Sequence, residues 1–318
     1  MALPPAVLRS LKFCVAGLLA ALSVLPASLI AAEPAAAAYS YKRLSDPART
    51  VVYSSTGRWL ATFTDRSRTV TLAGPARTFS EDTATASVTT SKWVRLLPEP
   101  FAGPVDGSWL SAALADRQPD VIAVAMGYIE SAPSVFDGAG LRIVGDAGYG
   151  PLLPDGTRQE GSDFNDYLGI PWSYGDSIDR PESAQYGDLD CSGFVRMVFG
   201  YRGQVPLTLD PDGSSLPRRS FEMLASAPGL VTIKNTGSQS TAYKRLDMGD
   251  LVFFDASTDD GTRIDHTGIY LGLDSARRHR FLSSRKTIDG PTLGDTAGAS
   301  VLDGSGYYGR AFRAARRL

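Results

Sequence analysis

The stretch Asp188-Leu189-Asp190-Cys191-Ser192-Gly193-Phe194-Val195 decides how the rest of the chain is read. After the cysteine come two small residues and an apolar run of Phe194, Val195, Met197, Val198 and Phe199. That spacing predicts a helix starting at or next to Cys191 with one face buried. The aspartates before it suit a helix N-terminus, and Ser192 and Gly193 let another group approach the sulfur. At a helix start the unpaired N–H groups and the helix dipole favour a thiolate, which makes a cysteine nucleophilic near neutral pH. A lone cysteine in such a run is more often a packing residue, so the choice turns on the rest of the chain.

The chain has 318 residues, enough for one large domain or two, and is 43% hydrophobic and 21% charged, so a full core is expected. A net charge of -2 gives no support to nucleic acid as a partner. Arg9 and Lys12 precede an uncharged run from Phe13 to Ala32 and then alanine-rich residues to Ala38. This is the layout of a secretory signal peptide over residues 1–38, although the run is also long enough for an uncleaved membrane anchor. The chain's two cysteines are Cys14 and Cys191. Once the signal is removed Cys191 stands alone, unable to form an internal disulfide, and a leftover thiol in an exported protein is a candidate reactive group.

Working outward, residues 39–106 have a β-like pattern. The segments 58–64 and 69–73 flank Asp65-Arg66-Ser67-Arg68 as a hairpin, with Val51 to Tyr53 and Trp93 to Leu97 as further strands. They form a small β-rich module, SH3-like or supporting, whose role is attachment to a substrate or packing on the rest. Residues 107–161 hold two helices, with Pro119 in the first turn of the second, and then a glycine-rich linker with no strand–glycine–helix context for a phosphate loop. From Ser162, which can cap a short helix ended by Gly169, helices lead into strands at 250–254, 266–271 and 280–286 and a closing strand from Gly309. Helices followed by an antiparallel run indicate an α+β domain over 162–318.

A cysteine nucleophile needs a base, and histidine titrates in the right range. The chain has two histidines. His266 lies on a strand beside small Thr267 and Gly268, with His266, Gly268 and Tyr270 on one face. His279 lies in the basic turn Arg277-Arg278-His279-Arg280 and reads as an exposed histidine. His266 is therefore the better base.

The blocks Asp190 to Val195, Gly249-Asp250-Leu251-Val252-Phe253-Phe254 and His266-Thr267-Gly268-Ile269-Tyr270-Leu271-Gly272 resemble, in order and spacing, those of the NlpC-type family, bacterial cell-wall cysteine peptidases. Leu216-Pro217-Arg218 with Ser220 and the closing 312–317 fit the same habit. The resemblance covers 162–318. It implies a papain-like core with an antiparallel sheet and N-terminal helices, and hydrolysis of an amide in peptidoglycan stem peptides, often between D-glutamate and a diamino acid. It further implies Cys191 as nucleophile, His266 as base and then acid, and the Cys191 N–H as an oxyanion donor. Asp190, Ser192, Trp172 and Tyr174 become candidates for the substrate or oxyanion site.

Two positions depart from the family. Trp172 follows Pro171 where the family has tyrosine, with Tyr174 two residues on. The third polar residue aligns with Ser283, with His279 or Asp289 as alternatives in another register. Neither cofactor nor metal is expected. Asp255, Asp259, Asp260 and Asp265 lack the spacing of a calcium loop and read as a solvated turn. Arg310, Arg313, Arg316 and Arg317 either meet anionic wall polymers or line a solvated strand face. The expected protein is a secreted or wall-associated monomer that touches a membrane only through its N-terminal segment. An acyltransferase or amidase using the same cysteine and histidine, or a catalytically weakened wall-binding module, are the alternatives.

Overall fold

Period-two alternation and short turns produce most of the β structure. A computed structural model describes residues 39–257 and 261–318. The expected signal segment, and Asp259 and Asp260 of the acidic turn, lie outside the described residues. Five antiparallel strands come first: β1 (Ser40–Ser45), β2 (Ala48–Tyr53), β3 (Trp59–Thr64), β4 (Thr69–Phe79) and β5 (Val88–Leu96), paired in sequence order. One face of this sheet buries Val52, Phe63, Val70 and Leu72 with Phe101 and with Leu110 of helix α1 (Gly107–Ala115). At its other edge Phe79, Val88 and Val94 join the main core. Polar contacts also reach across: Lys92 pairs with Asp247, Ser67 Oγ donates to the Leu318 carbonyl, and Glu81 accepts from the Leu293 amide. The described residues form one compact unit.

Helix α2 (Val121–Met126) is capped by Asp120, one residue beyond Pro119, which therefore lies before the helix. Hairpin strands β6 (Val135–Phe136) and β7 (Arg142–Val144) lead to α3 (Phe164–Leu168). That helix is capped by Asp163, with Asp166 completing a capping box, and not by Ser162; Gly169 ends it at φ 67, a left-handed position where glycine carries no Cβ penalty. A two-stranded ribbon follows, β8 (Trp172–Ser173) and β9 (Ile178–Asp179). Helix α4 (Cys191–Val195) starts at the cysteine and widens into a π-helix over Arg196–Tyr201.

After α5 (Ser220–Ser226) come β10 (Leu230–Ile233), β11 (Leu251–Phe254), β12 (His266–Leu273), β13 (His279–Arg285) and β14 (Gly290–Thr292). A short α6 (Tyr307–Ala311) then turns the chain into β15 (Phe312–Arg317). The six strands form one antiparallel sheet in the order β10-β15-β11-β12-β13-β14. The architecture is thus mixed helix and antiparallel sheet, with the N-terminal part of the described chain rich in sheet and the helices short.

Alternation along β12 holds as expected. Ile269 and Leu271 enter the main core beneath the helices, while Tyr270 joins Phe254, Phe281, Tyr308 and Phe312 on the opposite face. Arg316 and Arg317 correct both readings of that tail. Arg316 and Arg317 are buried, Arg316 donating to the carbonyls of Leu224 and Ala227, and Arg317 bridging Asp250 at 2.7 Å and Thr64. Arg313 pairs with Asp255, one member of the acidic turn. Arg313, Arg316 and Arg317 thus tie the last strand down, whereas Arg310 is exposed and donates to the Ser305 carbonyl.

Candidate active site

Helix α4 is set by its first carboxylate. Asp190 accepts from the Ser192 amide at 3.0 Å and the Gly193 amide at 2.7 Å, satisfying two of the orphan donors of the helix start. It also accepts from Gly161 N–H at 3.1 Å and pairs with the buried Arg218 at 2.7 Å. Arg218 donates to Ser192 Oγ at 2.6 Å, and Ser192 Oγ donates to Asp190 at 3.0 Å. Asp190 and Ser192 are thereby committed to one another and to Arg218. The Cys191 amide is not among the donors that Asp190 accepts from. A Cβ on Gly193 would collide with the Ser162 carbonyl, which explains why a glycine lies two residues after the cysteine.

The cysteine's sulfur lies against the start of β12. It is within 4.0 Å of the Asp265 carbonyl oxygen, and the Thr267 amide donates toward it. The sulfur thus touches the backbone on both sides of His266. The imidazole packs between Phe254 and Tyr308, with ring centroids at 5.6 and 5.4 Å. Its Nε2 is buried and has no hydrogen-bond partner among the described residues.

Electrostatics reverse the expectation drawn from the helix dipole. Burial, and then the negative charge of Asp190, push the Cys191 thiol up from its ordinary value. Burial, and then the positive charge of Arg285, push His266 down to about 3. The capping carboxylate supplies a full charge where the short helix supplies a fraction of one. In the free protein the pair is therefore a thiol beside a neutral imidazole.

None of the three candidates for an orienting residue hydrogen-bonds His266 Nε2. Ser283 is fully buried on β13 and accepts from Arg285 Nε at 3.1 Å. Asp289 pairs with Arg158 and accepts from the Tyr149 amide. His279 is not an exposed turn residue: it begins β13, stacks on Tyr243 at 4.6 Å, and its Nδ1 meets the Tyr270 hydroxyl at 2.6 Å. Trp172 and Tyr174 are likewise engaged by other partners. Trp172 packs edge-on against Phe164 and Tyr201, and the Tyr174 hydroxyl accepts from Arg196, whose Nε pairs with Asp163 at 2.8 Å.

Two adjoining cavities, of about 460 and 330 Å³, border the pair. The first is lined by His266, Arg285, Tyr307 and Tyr308, the second by Cys191, Ser192, Arg219 and Phe221. Tyr149, Glu160, Asp265 and Lys286 line both, so the two form one cleft. Glu160 and Lys286 pair at 2.7 Å across it. Sequence reasoning missed Tyr149 and Glu160, which come from the glycine-rich stretch, and Arg285 and Tyr308. Alternation along residues 280–286 puts Phe281, Ser283 and Arg285 on one face, the signal available for Arg285. No group of histidines, cysteines or carboxylates suited to a metal occurs among the described residues.

The NlpC/P60 family model matches residues 169–292, a span that includes the cysteine, the histidine and the strands between them. That segment is similar to the NlpC/P60 family. The resemblance carried by the three blocks is borne out there. Among solved structures the chain is similar to a Staphylococcus aureus protein described as similar to lipoprotein, NLP/P60 family, at 19% identity and a TM-score of 0.28. That alignment covers 70% of this chain and 55% of the other. No curated protein matches.

Proposed function

We propose that this NlpC/P60 protein is an exported cysteine hydrolase that cleaves an amide bond in peptidoglycan stem peptides, on a papain-like core. The observation that carries the reading is the Cys191 sulfur lodged against the backbone flanking His266 at the floor of a continuous cleft. The matched family model and the secretory layout of residues 1–38 support the cell-wall setting.

Because the resting pair is neutral, the Sγ proton moves to the imidazole as the C–S bond forms, and not before. The carbonyl oxygen takes up the electron pair and meets the Cys191 N–H. His266 then gives the proton to the leaving amine, the C–N bond breaks, and a thioester remains on Cys191. Water, losing a proton to His266, attacks the thioester and releases a carboxylic acid and the thiol. Phe254 and Tyr308 hold the ring in place of a hydrogen-bonded third residue, and Ser283 acts only by supporting Arg285. Tyr149 is buried and lines both cavities, whereas Trp172 and Tyr174 line neither.

Mass spectrometry of purified stem peptides incubated with the protein tests this. Fragments with a new carboxylic acid and a new free amine are expected. Products in which the acyl group is joined to an added amine would mean an acyltransferase. Intact peptides would contradict hydrolysis and favour a second reading, a wall-binding module of reduced activity, which the unpartnered Nε2 and the raised thiol pKa support.

A further inference from the structure

Within the cavity on the histidine side one charge is unanswered. Arg285 is buried, 3% exposed, yet forms no ion pair among the described residues. Its Nε, Nη1 and Nη2 donate to Ser283 Oγ, the Gly298 carbonyl and Ser300 Oγ, all neutral acceptors. Its guanidinium lies 4.2 Å over the Tyr308 ring, which also packs on His266. The neighbouring Lys286 is already paired with Glu160, and Arg196, Arg218, Arg280 and Arg317 each have an aspartate; Arg316 is also buried without an ion pair, but it donates to the carbonyls of Leu224 and Ala227 and lines neither cavity of the cleft. A buried cation without an anion is costly, and this one lines a cavity of about 460 Å³.

Resting on the hydrolase reading, the geometry points to Arg285 as a recognition residue for a free carboxylate on the residue whose amine leaves. His266 delivers the proton to that amine, so the leaving residue is the part of the substrate that occupies the histidine-side cavity. A carboxylate there completes the ion pair that the fold leaves open, by a charge-assisted hydrogen bond in a low-dielectric site. It also offsets the positive charge that disfavours protonation of His266, at the stage when His266 must carry a proton.

The test compares L-alanyl-γ-D-glutamyl-L-lysine with its C-terminal carboxamide, which differ only in that carboxylate. Wild-type protein is expected to cleave the acid with a kcat/KM about tenfold or more above the amide. Arg285→Gln should bring the two within about twofold by slowing the acid alone, and Arg285→Lys should keep part of the preference. A merely structural loss would lower both peptides together and leave the ratio unchanged. Equal rates in the wild type, or an undiminished ratio in a folded Arg285→Gln protein, overturn the assignment. Should Arg285→Gln fail to fold, the wild-type ratio and the Arg285→Lys protein decide it. Calorimetric titration of the Cys191→Ala protein separates this claim from the hydrolase reading. Tighter binding of the acid that Arg285→Gln removes, in a protein whose wild type cleaves neither peptide, keeps the site and discards the hydrolase. Equal binding of both peptides discards the site.

Discussion

His266 and His279 begin neighbouring strands of one sheet and are set in opposite ways. His279 has its Nδ1 on the Tyr270 hydroxyl, its ring stacked on Tyr243 and its backbone amide bonded to Asp303. His266 is wedged between two rings, its Nε2 has no partner among the described residues, and a thiol lies against its flanking backbone. Burial lowers the pKa of both. The lesson is that a satisfied histidine consolidates a sheet, whereas one held by shape alone keeps its proton-transfer capacity free. An unmet hydrogen-bonding group in a buried site costs about 1–3 kcal/mol, a cost suited to a group kept for chemistry.

The sharpest way to break this contrast is to remove each ring in turn. His266→Ala should lower kcat/KM on stem peptides by about 10²–10⁴-fold, the usual scale for a general base. His279→Ala should leave kcat/KM within a few-fold and lower the melting temperature instead. Equal losses of activity from both would erase the distinction.

Titration sharpens it further. In NMR spectra the His266 ring should stay neutral down to about pH 3, and Arg285→Gln should move its pKa upward by removing the nearby positive charge. The sign for stability follows from the folded value lying below the unfolded value of about 6.5. The unfolded chain binds the proton first, so this contribution is fully present above about pH 6.5 and is lost as the pH falls toward 3. A His266 that titrates near 6.5 in the folded protein would contradict the description of its surroundings.

Smaller effects attend Ser283 and Trp172, candidates that form no hydrogen bond with His266. Ser283→Ala should cost about 1–3 kcal/mol of stability, because Arg285 Nε loses its acceptor, while kcat changes by no more than a few-fold. A loss of kcat as large as that of His266→Ala would show that Ser283 orients the imidazole. Trp172→Phe is expected to have the least effect, less than about 1.5 kcal/mol as an aromatic exchange in a partly buried position, with cleavage unchanged.

Much of this was legible because periodicity reports directly on which face is buried. The apolar spacing after Cys191 located α4, and alternation along 266–271 separated the core-facing Ile269 and Leu271 from His266 and Tyr270. The hairpin over 58–73 followed from its turn residues. What escaped is what depends on distant partners. Tyr149 and Glu160 reach the cleft from a glycine-rich stretch with no period to read. The fate of Arg316 and Arg317 depends on the 224–227 carbonyls and on Asp250, far away in the chain. The ionisation of Cys191 was misread for the same reason: the helix field is local in sequence, but the net charge around the sulfur is set by Asp190, Arg218 and burial together.

The most direct test of the central claim is the cleavage of γ-D-glutamyl stem peptides by wild-type protein and by Cys191→Ala, with circular dichroism confirming that both are folded. Cleavage by the wild type that falls to background in the variant is the predicted result. A folded Cys191→Ala protein that still cleaves at the wild-type rate would contradict it.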